Sequence, residues 1–212
     1  MLAAAPLAAQ DACPTASDLA NGITFDLTGT ETETYRDAGN GVVEVIYSDG
    51  EGFQTRTLLG QGAYLLEIVD LENGTPVPDT RTTYAHIFPP AEMPKPQPEM
   101  VWASQVTTTG DGFGQELHDH RGGVLSTITV GTCRYDTFRL TVTYDDADNT
   151  IDTLQYLPEL GFALLVGVAY NEEDGTRVED VYSYVDVATA GPSPSASPVE
   201  DGSNGRKVRG NE

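Results

Sequence analysis

The chain has 212 residues with 33 acidic against 11 basic side chains, a formal charge of −22. That much like charge repels phosphate backbones and anionic bilayers, which excludes nucleic acid as a partner class. The length suits one large domain with a real core, and residues 1–190 carry the whole charge, because Gly191 to Glu212 holds three acids and three bases.

The chain opens on "MLAAAPLAAQDACP". Residues 1–10 read as the remnant of a secretory signal, with alanines before a plausible cleavage point after Ala9 but no basic n-region; an Ala-rich disordered leader is the alternative. No segment approaches the ~20 apolar residues of a spanning helix, so no transmembrane segment is expected. Cys13 and Cys133 are the two cysteines. An even pair in a chain with export-like features predicts a disulfide between them and a periplasmic or secreted location, with two buried thiols as the alternative.

Pro14 followed by "TASDLANG" predicts a short N-terminal helix ending at Gly22. Beyond it, segments rich in Val, Ile, Thr, Tyr and Phe alternate with "DAGN", "SDGEG", "ENGT", "GDGFG", "DADNT" and "EEDG", the pattern of antiparallel strands joined by hairpins. In "TFRLTVTYD", Phe138, Leu140, Val142 and Tyr144 alternate with Arg139, Thr141 and Thr143, so one face is wet. In "FALLVGVAY" both faces are apolar, which predicts a central strand covered on each side.

"VEVIYSDGEGFQTRTLLGQGAYLLEIVDLENGT" aligns with "LTVTYDDADNTIDTLQYLPELGFALLVGVAYNEEDGT" at an offset of 97 to 101 residues, pairing Tyr47 with Tyr144, Leu59 with Leu157, Gly62 with Gly161 and Gly74 with Gly175. The segments read as an internal repeat, or as two amphipathic meanders alike by chance. Between the halves, about 23–88 and 101–189, lies the proline-rich strap 89–100, with five prolines from Pro89 to Pro98. It is unable to form an interior strand because its prolines donate no backbone hydrogen bond. Residues 191–212, rich in Pro, Ser and Gly, are expected to be disordered. The expectation is one all-β domain over 11–190, with about 11 to 13 strands arranged as a strongly curved sheet, open barrel or sandwich.

Chemistry-bearing residues are few. In "GQELHDHRGG", an extended backbone puts Glu116, His118 and His120 on one face, and two imidazoles with a carboxylate are a possible zinc, copper or nickel set. His86 would join them only from a neighbouring strand. The competing reading is a polar strand end marked by its glycines. The loop "DDADNTID" offers Asp146, Asp148 and Asp152 as calcium ligands, but without the central glycine and distal glutamate of an EF-hand. Trp102, Tyr156, Tyr170, Tyr182 and Tyr184 form a candidate ligand surface if the sheet is cupped, or else core packing. No nucleophile motif and no phosphate-binding glycine loop occurs, so no catalytic residue and no cofactor is expected.

The pieces "CPTASDLANGI", "GTCRYDTFRLTV" and "YLPELGFALLV" resemble uncharacterised exported bacterial all-β proteins. More distantly, the chain is similar to the lipoprotein-carrier-like half-barrels of the periplasm, whose curved sheet holds an apolar ligand. The resemblance implies an envelope location and an all-β sheet, and it carries over no site residue. The functional expectation is therefore a non-enzymatic periplasmic or secreted protein that binds a small apolar ligand or an envelope protein through its sheet. The alternatives are a metal-binding protein or metal-dependent enzyme using Glu116, His118 and His120, and a structural or interaction module.

Overall fold

A computed structural model describes residues 13–110 and 112–190; the leader 1–10 and the tail 191–212 lie outside the described residues. Three short 3-10 turns, Ala16–Ala20, Pro78–Thr80 and Pro90–Glu92, accompany fourteen strands. The strands are β1 (Ile23–Leu27), β2 (Thr32–Gly39), β3 (Val42–Ser48), β4 (Gln54–Gly60), β5 (Tyr64–Glu72), β6 (Thr75–Pro76) and β7 (Thr82–His86). They continue with β8 (Val101–Thr109), β9 (Phe113–Val130), β10 (Cys133–Tyr144), β11 (Ile151–Leu157), β12 (Phe162–Asn171), β13 (Arg177–Val181) and β14 (Tyr184–Thr189).

The strands form one antiparallel sheet in the order β13-β12-β11-β10-β9-β8-β7-β5-β4-β3-β2-β1-β14, with β6 paired to β5 off this path. Fourteen strands exceed the expected 11 to 13 because β6 is a two-residue pairing and "VYSYV" is broken at Tyr182 and Ser183 into β13 and β14. Hairpin chemistry follows the turn residues. Asn40 and Gly41 between β2 and β3, and Asn73 and Gly74 between β5 and β6, all adopt positive φ, as a tight turn matched to strand twist requires. The predicted N-terminal helix is a single 3-10 turn. It begins after Thr15, rather than at Pro14, because the Thr15 N–H donates to the Asp18 carboxylate at 2.8 Å.

No ladder joins β13 to β14, so the sheet does not close into a barrel. It is nonetheless rolled. Tyr35 of β2 stacks on Phe162 of β12 with ring centroids 4.2 Å apart, and Phe25 of β1 meets the same ring edge-on at 5.9 Å. The Tyr184 hydroxyl of β14 donates to the Leu165 carbonyl of β12 at 3.0 Å. Strands near opposite ends of the order therefore face each other. This explains β12, in which consecutive residues Phe162, Ala163 and Leu164 are all buried. The start of the strand is covered on both faces by the roll-over, while from Leu165 onward it is only half-buried, so the expected cover extends over part of its length.

The roll is tight where two turns meet. The Ala163 N–H donates to the Gly62 carbonyl at 2.9 Å, and a Cβ on Gly62 would overlap the Gly161 carbonyl and Phe162. Gly62 also has φ +68, so backbone conformation and close approach both demand glycine. Cys13 and Cys133 form the expected disulfide, with Cα atoms 5.5 Å apart, and Cys133 packs in the core with Leu19, Ile23 and Phe25.

Residues 87–100 run between β7 and β8 as an irregular strap. Gln61 donates to the Pro90 carbonyl at 2.8 Å, the Tyr64 hydroxyl donates to the Pro94 carbonyl at 2.7 Å, and Met93 is buried. The strap crosses β9 at Gly122, whose N–H donates to the Met100 carbonyl at 2.9 Å and whose Cβ, if present, would overlap the Gln97 carbonyl. Gly122 and Gly123 therefore mark a crossing and a bulge within an 18-residue strand, where the sequence suggested a strand end.

Candidate functional site

The rolled sheet has two interior regions. The first, between β5, β7, β8, β9 and β10, is filled with rings. β9 turns Glu116, His118 and His120 to one face as the period-two reading expects, but His118 and His120 are fully buried rather than solvated. β8 lies between β7 and β9 and brings His86 close, with 5.8 Å between the His86 and His118 ring centroids. Trp102 sits 4.5 Å from Tyr64 and 5.3 Å from His120, and Tyr144 meets His118 edge-on at 4.6 Å.

Part of this donor set is engaged within the protein. His86 is committed at both nitrogens, to the Ser104 hydroxyl at 3.2 Å and the Leu65 carbonyl at 2.9 Å. His118 Nε2 contacts the Glu116 carboxylate at 3.1 Å. Nδ1 of His118 and of His120 is buried without a partner. Among the described residues no three His, Cys, Asp or Glu converge with the geometry to hold a metal ion. Burial holds all three imidazoles below their ordinary range. For His120 it acts together with repulsion from His118 and His86 and pushes the pKa down to about 3. The rings are thus neutral aromatic packing at physiological pH.

The second region is not filled. A cavity of about 170 Å³ lies between β2–β5 and β10–β12. Its wall is mainly aliphatic, from Val45, Leu59, Leu65, Ile68, Leu154 and Leu165 with the small residues Ala63 and Ala163, interrupted by Glu33, Tyr35, Thr57, Tyr144 and Asp152. The two acids are only partly buried, as groups on a cavity with access to solvent should be.

Each acid is held by tyrosine. Glu33 Oε2 accepts from the hydroxyls of Tyr35 and Tyr184, the latter at 2.8 Å. Asp152 Oδ2 accepts from the Tyr144 hydroxyl at 2.7 Å. The Tyr184 hydroxyl has one proton and two acceptors in reach, Glu33 and the Leu165 carbonyl, so it serves one at a time. Burial raises the Glu33 carboxyl against the opposing pull of its tyrosine bonds, and it lifts Asp152 to about 6. The partner tyrosines Tyr35, Tyr144 and Tyr184 are driven well above their ordinary range by the same burial. Among the described residues no salt bridge involves Glu33 or Asp152.

The chain matches no family model, no curated protein and no solved structure.

The remaining predicted residues fall in separate places. Of the three predicted aspartates, Asp146 stands close enough to Asp152 to help raise its carboxyl. Asp146 accepts the Thr150 N–H at 2.9 Å within its own turn, the Asp148 carbonyl accepts the Asn171 N–H at 2.8 Å, and Asp152 turns to the cavity. Of the aromatic set, Tyr184 reaches the cavity through Glu33, Trp102 belongs to the ring cluster, and Tyr156 is buried against Phe138 at 5.3 Å. Tyr182 lines an open groove with Val166, Val168 and Arg139, while Tyr170 pairs across to Val178 on β13. Glu33, which is not among the predicted residues, carries a usable signal. In "TETYR", Glu33 shares a strand face with Tyr35, so an acid stands at an inward position of a strand.

Proposed function

We propose that this is a non-enzymatic binding protein that holds a small, mainly apolar molecule inside its rolled sheet. The observation that carries the reading is the 170 Å³ cavity walled by aliphatic side chains with a few oriented polar groups, the composition typical of ligand sites. An apolar cavity of about 150 Å³ admits benzene, so the space suits a body of one aromatic ring or a short alkyl chain. A metal-centred function has less support, because among the described residues no three His, Cys, Asp or Glu are grouped to hold an ion.

An exported location, periplasmic or secreted, is part of the proposal. The Cys13–Cys133 disulfide supports it, since such bonds persist in oxidising compartments. No helix among the described residues is long and apolar enough to cross a membrane. Internal duplication is proposed too, supported by the two runs β3-β4-β5-β6 and β10-β11-β12-β13. Each is a meander of sequential neighbours, and their turns meet at Gly62 and Gly161.

The test is a nuclear magnetic resonance titration of the whole chain with four one-ring compounds: toluene, benzyl alcohol, benzylamine and benzoate. At least one should shift the methyl signals of Leu154 and Leu165, and Ala163→Leu, which fills the space, should abolish the shift. No response to any of the four would overturn the reading.

A further inference from the structure

The two acids on the cavity wall are chemically unlike the rest of it. An ionised carboxylate in partly apolar surroundings is costly unless paired. Elsewhere in the interior this chain pairs its acids: Glu67 of β5 meets Arg56 at 2.6 Å and Arg81 at 3.7 Å. Glu33 and Asp152 have tyrosine hydroxyls instead, which orient a carboxylate without neutralising it. In both, the tyrosines occupy one oxygen only. Glu33 Oε1 and Asp152 Oδ1 accept no hydrogen bond from the described residues, and neither is a sealed, partnerless buried atom. Both residues line the one apolar cavity, and each keeps an oxygen that the tyrosines do not take.

We infer that the molecule held in this cavity is a small organic cation, a protonated amine on an apolar body about the size of one aromatic ring, whose ammonium is received by Glu33 and Asp152. The inference rests on the cavity being a ligand site and specifies what fills it. The ammonium supplies the positive charge the wall lacks and donates to the free oxygens in charge-assisted hydrogen bonds, while Leu59, Leu65, Leu154 and Leu165 enclose the apolar body. A neutral molecule of the same shape leaves both carboxyls uncompensated, and an anion adds repulsion. The excess of acidic side chains over the chain favours the approach of a cation as well.

Calorimetric titration of the whole chain at pH 7.5 with the same four compounds tests this. Benzylamine should bind at least about tenfold more tightly than benzyl alcohol, a difference of one charge-assisted contact. Benzoate should bind most weakly. Glu33→Gln and Asp152→Asn keep acceptors for the tyrosines, and each should shrink the advantage of benzylamine over benzyl alcohol at least about threefold. Should either variant fail to fold, the wild-type ratio decides alone. Benzyl alcohol, toluene or benzoate binding as tightly as benzylamine would overturn the inference while the cavity remains a ligand site. Silence from all four would remove both.

Discussion

The two interior regions of this sheet share β5 and β10 but treat their space in opposite ways. Around His118 and His120 the space is filled by rings, and the polar atoms there are neutral imidazoles. One ring nitrogen of each, Nδ1, is buried without a partner. Around Glu33 and Asp152 the space is left open, and the polar atoms are carboxyls held in place by tyrosine hydroxyls, each with an oxygen to spare. What separates a cavity from a packed core here is whether small residues such as Ala63 and Ala163 leave room beside the polar groups. The residue types alone point the other way, since the histidine cluster is the more suggestive of chemistry in sequence.

The comparison can be attacked first at its anchor. Cys13 and Cys133 close a loop of 120 residues, and Cys133 lies in the core on the cavity side. Replacing both with serine should lower unfolding stability by about 4–5 kcal/mol in the chain-entropy account, measured by urea denaturation. Hydrogen exchange should quicken in β1 and β10 before β8. Equal loss in both regions would mean that they do not differ in how they are secured.

A second test adds bulk to each region. Ser104→Leu inserts a larger side chain among the rings, where Ser104 is buried against His86, and should cost about 1–3 kcal/mol. Ala163→Leu on the cavity wall should cost less than about 1 kcal/mol, because there is empty volume to receive it. Similar penalties in thermal denaturation would show that the open region is not open.

Protonation gives a third. His120 has a folded pKa near 3 against an ordinary value of 6.5, so the unfolded chain takes up the proton first. The neutral ring's stabilisation is complete above pH 6.5 and is lost as pH falls toward 3. Relative to its value at pH 7.5, the stability of His120→Phe should gain on the wild type by on the order of 2 kcal/mol at pH 5. Asp152 has the opposite sign. Its folded pKa of about 6 lies above its ordinary 3.8, so its contribution is present below pH 3.8 and is lost as pH rises through 6. Asp152→Asn should therefore help most above pH 6. The smallest effect belongs to the outer face, where the pair Arg121–Asp119 at 2.6 Å, exposed at the guanidinium and half-buried at the carboxylate, should matter by about 1 kcal/mol or less when Arg121 becomes alanine.

The strand pattern was legible because alternation and Asn-Gly turns are local signals, and both Asn40-Gly41 and Asn73-Gly74 form the turns they announce. The disulfide was legible from cysteine count and context. The site was not. Glu33 and Asp152 are 119 positions apart, and only the roll of the sheet, which lays β2 against β12, puts them on one wall. The sequence rightly placed Glu116, His118 and His120 on one face of β9, but whether that face is wet, metal-bound or buried depends on what β5, β7 and β8 lay over it. The glycines of "HRGG" misled for a related reason: Gly122 makes way for the crossing strap, a contact made by residues more than twenty positions earlier.

The pairing of β1 with β14, from Ile23 opposite Thr189 to Leu27 opposite Tyr184, has a consequence for synthesis. Among the described strands, β1 leaves the ribosome long before β14 and keeps one edge bare until β14 has been made, which leaves it a template for mispairing with other nascent chains. The pairing joins residues as far apart in the chain as Ile23 and Thr189, the kind of long-range contact that slows folding.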